Sequence, residues 1–192
     1  MEVFIEERDL IQKILSGDSE TYAEIVRAHQ AKVLGLCMSL LGNATQAEDA
    51  AQEIFIKAYR SLRSFRGDSV FSTWLYRIAA NHCKDLLRKR SRERTESLDA
   101  LIEESGDGIQ VSFKPSFDPS AATGTADLLE RLLSSLSPEE RLILTLREVQ
   151  GLNYKEISDT LKCSLDAVKA RLRRARQTLE QKVRHFSTVG DV

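Results

Sequence analysis

The helical apolar repeat that fills most of this chain breaks off once, over "ESLDALIEESGDGIQVSFKPSFDPSAATGT", residues 96–125. The stretch carries Gly106, Gly108, Pro115 and Pro119 among several Ser and Thr, and sustains no 3.6-residue period. One continuous pattern of core-facing residues does not run through such a segment. The chain is therefore predicted to form two lobes, residues 1–95 and 126–192, joined by a flexible linker over 96–125. Only nine Gly and three Pro occur in 192 residues, too few for the turns of a loop-rich β protein. The fold class expected is all-α: a four-helix N-terminal domain and a C-terminal helix-turn-helix domain.

Charge is divided as sharply as hydrophobicity. Residues 1–95 hold 15 Lys/Arg against 13 Asp/Glu, and residues 127–192 hold 12 against 10. Residues 96–126 hold one Lys against six acids. Inside the two near-neutral lobes the bases are concentrated, seven in residues 77–94 and seven in 169–184. Basic clusters of this kind suit a polyanionic partner.

Several classes are excluded. No apolar run approaches the ~18 residues that span a bilayer, and the acidic start "MEVFIEERDL" lacks a signal-peptide layout, so a cytoplasmic protein is expected. Cys37, Cys83 and Cys163 lie far apart without a C-x-x-C pair. They read as buried, reduced thiols and not as a disulfide framework or zinc ligands. No nucleophile–base pair, metal cluster or Gly-rich phosphate loop is evident. No catalytic residue, metal, cofactor or small-molecule substrate is expected.

Four helices are predicted in the first lobe: about 5–15; Asp18 to Gly42; one opened by a Thr45–Glu48 capping box; and one from near Ser72 to about Arg90. In the second lobe a helix is predicted over about 126–136. Ser137-Pro138-Glu139-Glu140 then opens another that ends at Gly151, and a short helix covers Tyr154 to Leu161.

Three surfaces carry candidate function. After the short helix come the turn "KCS" and a long basic helix with Ser164 as N-cap, which together make a helix-turn-helix over about 154–176. Leu165, Val168, Leu172, Ala175, Leu179 and Val183 fall in one stripe that docks on the domain. Lys169, Ala170, Arg171, Arg173 and Arg174 lie opposite or beside it, where small residues permit close approach and Arg suits bidentate contact with guanine. Arg176 sits near the stripe and reads as structural or phosphate-contacting before base-reading. A solvated amphipathic helix would show the same periodicity, although the preceding turn and short helix favour groove reading.

The second surface is "FSTWLYRIAANHCKDLLRKRSRER". Arg77, Asn81, Lys84 and Arg88 share one face, with Phe65, Phe71, Trp74 and Tyr76 in or just after the loop before it. Cations beside rings suit single-stranded nucleic acid; an aromatic core under a solvated basic face is the alternative. His82, with no second ligand, reads as a surface or packing histidine. The third surface is Asp49, Gln52, Glu53 and Ile56, contiguous at i, i+3, i+4 and i+7, where an Ile among acids and an amide suggests a partner.

"AEDAAQEIFIKAYRSL", "FRGDSVFSTWLYRIAANHCKD" and "LSPEERLILTLREVQGLNYKEISDTLKCSLDAVKARLRRAR", in this order, resemble the extracytoplasmic-function (ECF) group of bacterial sigma factors, and its RpoE-like branch most closely. With "YAEIVRAHQAKVLGLCMSLLGN" they cover most of both lobes. The resemblance implies a transcription initiation factor that is not itself an enzyme. Its partners would be core RNA polymerase (β′ clamp helices and β subunit), promoter DNA and an anti-sigma factor, with no obligate homo-oligomer. Asp49, Gln52, Glu53 and Ile56 would dock on the clamp helices. The loop from Ser64 to Phe71, with Phe65, Arg66, Gly67, Asp68 and Ser69, would capture a base flipped from the minus-ten element. Trp74 belongs with this site, and Arg77, Asn81, Lys84 and Arg88 would hold neighbouring bases and phosphates. Lys169, Ala170, Arg171, Arg173 and Arg174 would read the minus-thirty-five element. From the residues alone, a helix-turn-helix regulator that binds operator DNA unaided stays open, as does an adaptor acting by protein contact.

Overall fold

The computed structural model describes residues 2–105 and 132–189, and every regular element among them is helical. In chain order these are α1 (Glu2–Leu15), α2 (Tyr22–Leu41), α3 (Ala44–Ser61), a single 3₁₀ turn (Leu62–Ser64), α4 (Phe71–Ser105), α5 (Pro138–Leu144), a π turn (Thr145–Val149), α6 (Tyr154–Leu161) and α7 (Leu165–Val189). From Gly106 onward the expected linker lies outside the described residues, as does most of the helix expected over 126–136.

The boundaries follow local chemistry. Asp18 accepts from Thr21 Oγ1 at 2.7 Å and from the Thr21 backbone N–H at 3.3 Å, closing a turn that delays α2 to Tyr22. The cap of α3 is Asn43, whose side chain accepts from Gln46 N at 2.9 Å; the Thr45–Glu48 spacing is not the one used. α5 and α6 each open with a full capping box, Ser137 with Glu140 and Asn153 with Glu156. Where a stop was expected near Arg90, α4 runs on to Ser105. No Gly or Pro interrupts it before Gly106, and Lys89 and Glu93 pair at i, i+4.

The first lobe is a bundle in which α2, α3 and α4 pack on one another, with Leu36, Ile54, Ala58, Leu75 and Ala79 fully enclosed. Cys37 and Cys83 meet in this core, Cys83 donating to Cys37 across 3.7 Å. That hydrogen bond and burial push the Cys83 thiol up, so it stays protonated. The second lobe packs α5 and α6 on α7 through Leu142, Ile157, Val168, Leu172 and Ala175.

The two lobes close on each other, and their apolar cores join into one cluster. Five hydrogen bonds stitch the seam. Arg141 Nη1 on α5 donates to the Ser39 and Leu40 carbonyls, each at 3.4 Å. Ser39 Oγ meets Thr145 Oγ1 at 2.6 Å, and Tyr76 Oη donates to Gln150 Oε1 at 3.0 Å. Gln150 Nε2 in turn donates to the Lys32 carbonyl at 3.2 Å. Burial pushes the Tyr76 phenol up to about 12, so it remains a donor. Tyr76, grouped with the candidate nucleic-acid aromatics from sequence, therefore belongs to the seam.

Arg141 is 4% exposed, and burial holds its pKa below the usual arginine value while leaving it charged at neutral pH. Arg141→Ala strands the α2 carbonyls and opens a cavity; a loss of roughly 3 kcal/mol is expected. Arg141→Met refills the space but strands the same two carbonyls, so it should recover only the packing share of the loss and stay about 1–2 kcal/mol below wild type. Urea unfolding followed by circular dichroism checks both, and wild-type stability in Arg141→Met would contradict the role given to these hydrogen bonds.

Candidate nucleic-acid interface and docking face

Local hydrogen bonds build the helix-turn-helix. The turn needs Lys162 in the left-handed region at φ 50°, with its N–H bonded back to Ser158 O. Ser158 Oγ donates to the Cys163 carbonyl at 2.5 Å. Ser164 Oγ then accepts from Ala167 N at 3.2 Å and caps α7 as expected. Val168, Leu172 and Ala175 are buried under α7, and Leu179 is half-buried. The stripe is shorter than its period implied: Leu165 is 46% exposed and Val183 41% exposed, because each overhangs the end of the small lobe. Lys169, Ala170, Arg173 and Arg174 face solvent and Arg171 is half-buried. Arg176 pairs with Glu148 through Nη2 at 2.6 Å and Nε at 3.2 Å. That pair occupies its guanidinium within the lobe.

The aromatics ahead of α4 form a mutual stack. Phe65, Phe71 and Trp74 have ring centroids 5.4–5.5 Å apart, and His29 lies 5.4 Å from Phe71. Phe71 and Trp74 are buried, and Phe65 alone of the three is half-exposed. The rings thus wall a pocket more than they offer an open stacking platform. Arg66 and Asp68 are exposed, and Gly67 and Ser69 half-buried. Arg77 is half-buried and lines, with Arg66, Trp74, Lys155 of α6 and Lys162 of the following turn, a cleft of about 850 Å³.

The rest of the α4 basic face looks elsewhere. Asn81 is exposed, Arg88 is exposed and 3.6 Å from Asp85, and Lys84 is half-buried. Lys84 shares a second cleft, of about 190 Å³, with Arg171 and Arg174 of α7. The two candidate DNA-reading helices thus face one another across the seam.

On α3, Asp49, Gln52, Glu53 and Ile56 are all exposed, Ile56 to 49%. Tyr59 extends this face: it is 43% exposed, with its ring 4.9 Å from Tyr22. The sequence reading of this face stopped at Ile56; the place of Tyr59 three residues later was the available signal. Among the described residues, no group of three or more His, Cys, Asp or Glu could hold a metal ion. No helix among them is long and apolar enough to cross a membrane.

Two family models match: Sigma-70 region 2 over residues 25–93 and Sigma-70 region 4 over residues 126–179. The chain is 35% identical over 180 residues to the RNA polymerase sigma-H factor of Pseudomonas aeruginosa, covering 92% of this chain and 93% of that protein. It is 35% identical over 178 residues to the ECF RNA polymerase sigma-E factor of Escherichia coli K12, covering 91% and 92%. In fold it is similar to CnrH, solved in complex with the cytosolic domain of CnrY (TM-score 0.67, 22% identity, 93% of this chain and 97% of that one). It is also similar to the sigma factor RpoE of Bartonella quintana, solved with the anti-sigma factor NepR (TM-score 0.65, 22% identity, 85% and 96%).

A histidine supports the α3 face from behind. His82 of α4 is buried, and Lys57 donates to its Nδ1 at 2.5 Å. Its Nε2 lies 3.4 Å from Glu53 Oε2, in ion-pair range but poorly aligned for a hydrogen bond. Burial, and then the Lys57 ammonium, hold the imidazole pKa below its ordinary 6.5 against the opposing pull of Glu53 and Asp85. The unfolded chain protonates this histidine near pH 6.5 while the folded chain does not. Stability should therefore be full above about pH 6.5 and decline as pH falls toward the folded pKa. Urea midpoints at pH 7.5 and 5.5 check this, and His82→Gln should shrink the difference between them.

Proposed function

The chain belongs to the ECF group of the sigma-70 family, and on that premise we propose how its surfaces divide the work. It binds core RNA polymerase and directs promoter recognition, melting and initiation. The polymerase does the chemistry; this chain supplies specificity and carries no catalysis of its own. It acts in the cytoplasm, in an envelope or other stress response held in check by an anti-sigma factor. The working units are residues 1–95 and 126–192, with residues 96–125 connecting them.

The α3 face of Asp49, Gln52, Glu53 and Ile56, extended by Tyr59, docks on the β′ clamp helices; the β subunit is contacted elsewhere. Exposed apolar groups ringed by polar ones are what a docking face requires. The loop from Ser64 to Phe71 takes a base flipped from the minus-ten element, Phe65 being its accessible ring. Arg77, Asn81, Lys84 and Arg88 hold the flanking strand. Binding the extruded base offsets an unstacking cost of a few kcal/mol, so melting needs no ATP. Lys169, Ala170, Arg171, Arg173 and Arg174 read the minus-thirty-five element from the major groove.

The closed seam is a holding state. The two elements lie about 25 base pairs apart by name, roughly 85 Å at 3.4 Å per pair. Lys84 and Arg174 line one small cleft, so the lobes must part before both elements are read. An anti-sigma factor that favours the closed form would keep the chain inactive.

The observation that carries this reading is that all three solvent-facing patches lie on the helices the two family models cover. Run-off transcription with purified core polymerase tests it. Ile56→Asp should weaken core binding at least tenfold, and co-purification at wild-type levels would show the face idle. Arg174→Ala should cost roughly 1–3 kcal/mol of promoter affinity and relax specificity only at minus-thirty-five positions. Tight operator binding by the chain without polymerase would favour the self-sufficient regulator instead.

A further inference from the structure

α1 is tied down from three sides. Ile11 and Ile14 are buried in the first-lobe core, and Glu7 Oε1 lies 2.9 Å from Nε2 of the buried His29 on α2. The ring of His29 in turn packs on Phe71, the residue that closes the loop ahead of α4. So anchored, α1 sets Arg8 over that loop. Arg8 Nη2 donates to the Gly67 carbonyl at 3.0 Å. A Cβ placed on Gly67 would lie 3.4, 3.8 and 3.9 Å from Nη2, Cζ and Nε of Arg8. Three guanidinium atoms at nearly one distance mean that the group lies flat across the glycine. Gly67 is also the loop's left-handed residue, at φ 74°, where the chain reverses direction. Arg8 thus clamps the turning point of the loop from above, and contact with the glycine backbone needs no side chain there.

The clamp borders a cavity. Arg8, Phe65, Gly67 and Phe71 line the first-lobe wall of a cleft of about 430 Å³ whose other wall is Asn153 and Lys155 of the second lobe, so the loop face opens fully only when the lobes part. Any shift of the Gly67 carbonyl would change the shape of this pocket. The backbone groups that a captured base would meet would shift with it.

We infer that Arg8 is a positioning residue for base capture, holding Gly67 so that the loop discriminates the flipped base. α1 then becomes part of the minus-ten reader. The inference rests on the minus-ten reading proposed above. A rival role for the same guanidinium is direct contact with a DNA phosphate, which would add affinity without base preference.

The test uses full-length chain bound to core polymerase and a randomised ten-nucleotide single-stranded DNA pool. The best sequence is then remade with each base in turn at each position. Wild type is expected to show one position of strong preference. Arg8→Ala should lower the preference there by tenfold or more, leave the other positions and the thermal midpoint unchanged, and leave the salt slope of binding unchanged. 2-Aminopurine at that position should brighten less on binding the variant, reporting a base less fully unstacked. Arg8→Lys, which keeps a donor within reach of the Gly67 carbonyl, should restore at least half of the lost preference. Gly67→Ala, strained at its φ, should reproduce the Arg8→Ala defect. Equal preference in wild type and Arg8→Ala would overturn the inference alone. A uniform loss with the salt slope reduced by about one would also overturn it, in favour of phosphate contact. A wild type with no preference on single strands would overturn the minus-ten reading and this inference together.

Discussion

A helix ends with carbonyls its own backbone cannot satisfy, and the solution α2 finds sets the shape of the molecule. Its Met38 carbonyl is taken by the left-handed Gly42 amide at 3.0 Å. The next two, Ser39 and Leu40, are taken by Arg141 from the other lobe. A cation at a helix C-terminus is favoured by the helix dipole, which offsets part of the cost of burying the guanidinium. Around it the seam is hydroxyl to hydroxyl and phenol to amide. Such groups can exchange their partners for water when the lobes separate. A wholly apolar seam has no such exchange available; the hydrogen bonds of this one, set beside a shared apolar core, fit the opening proposed above.

How far the sequence disclosed this depends on the range of the interaction. The second lobe was legible nearly residue by residue, because its signals are local. The Ser137 capping box, the Ser164 cap and the Val168–Leu172–Ala175 stripe are each set within a few residues, and the structure has them all. The stripe failed only at Leu165 and Val183, where helical phase continued but the lobe beneath had ended. The exposure of the α3 face was legible for the same reason, since Ile56 is out of phase with its own helix.

The seam and the clamp were not legible. Tyr76 pairs with Gln150 and Arg8 with Gly67, 74 and 59 residues apart. Neither side chain is out of place for a surface or a core, so pattern alone assigned Tyr76 to the aromatics of the loop and left Arg8 without a role. The same limit applies to His82. A lone histidine on a helix reads as packing, and only the fold brings Lys57 and Glu53 of α3 to its two ring nitrogens. The end of α4 was missed for an opposite reason: a charged, Gly-free and Pro-free run reads as solvated tail or as helix, and pairing such as Lys89 with Glu93 favours the helix.

Electrostatics opposes the seam that hydrogen bonds hold. Closure brings Lys84 of α4 to the same cleft as Arg171 and Arg174 of α7, and like charges at close range repel. Glu139 and Glu140 share that cleft and offset part of the repulsion. Although burial pushes the Glu140 pKa up, hydrogen bonds from Ser137 and Thr178 hold it below the usual range, so it stays ionised. On the proposed reading, a DNA phosphate offers the same cations an anionic partner that is free to follow either lobe as the two separate. Added salt would then screen the repulsion that resists closure and, by counterion release, also weaken the grip on DNA. Both effects would move the chain toward its closed, unbound form. The balance between the proposed forms sets the shared apolar core and the hydrogen bonds of the seam against these cations, and a partner tips it only by its differential affinity for the two.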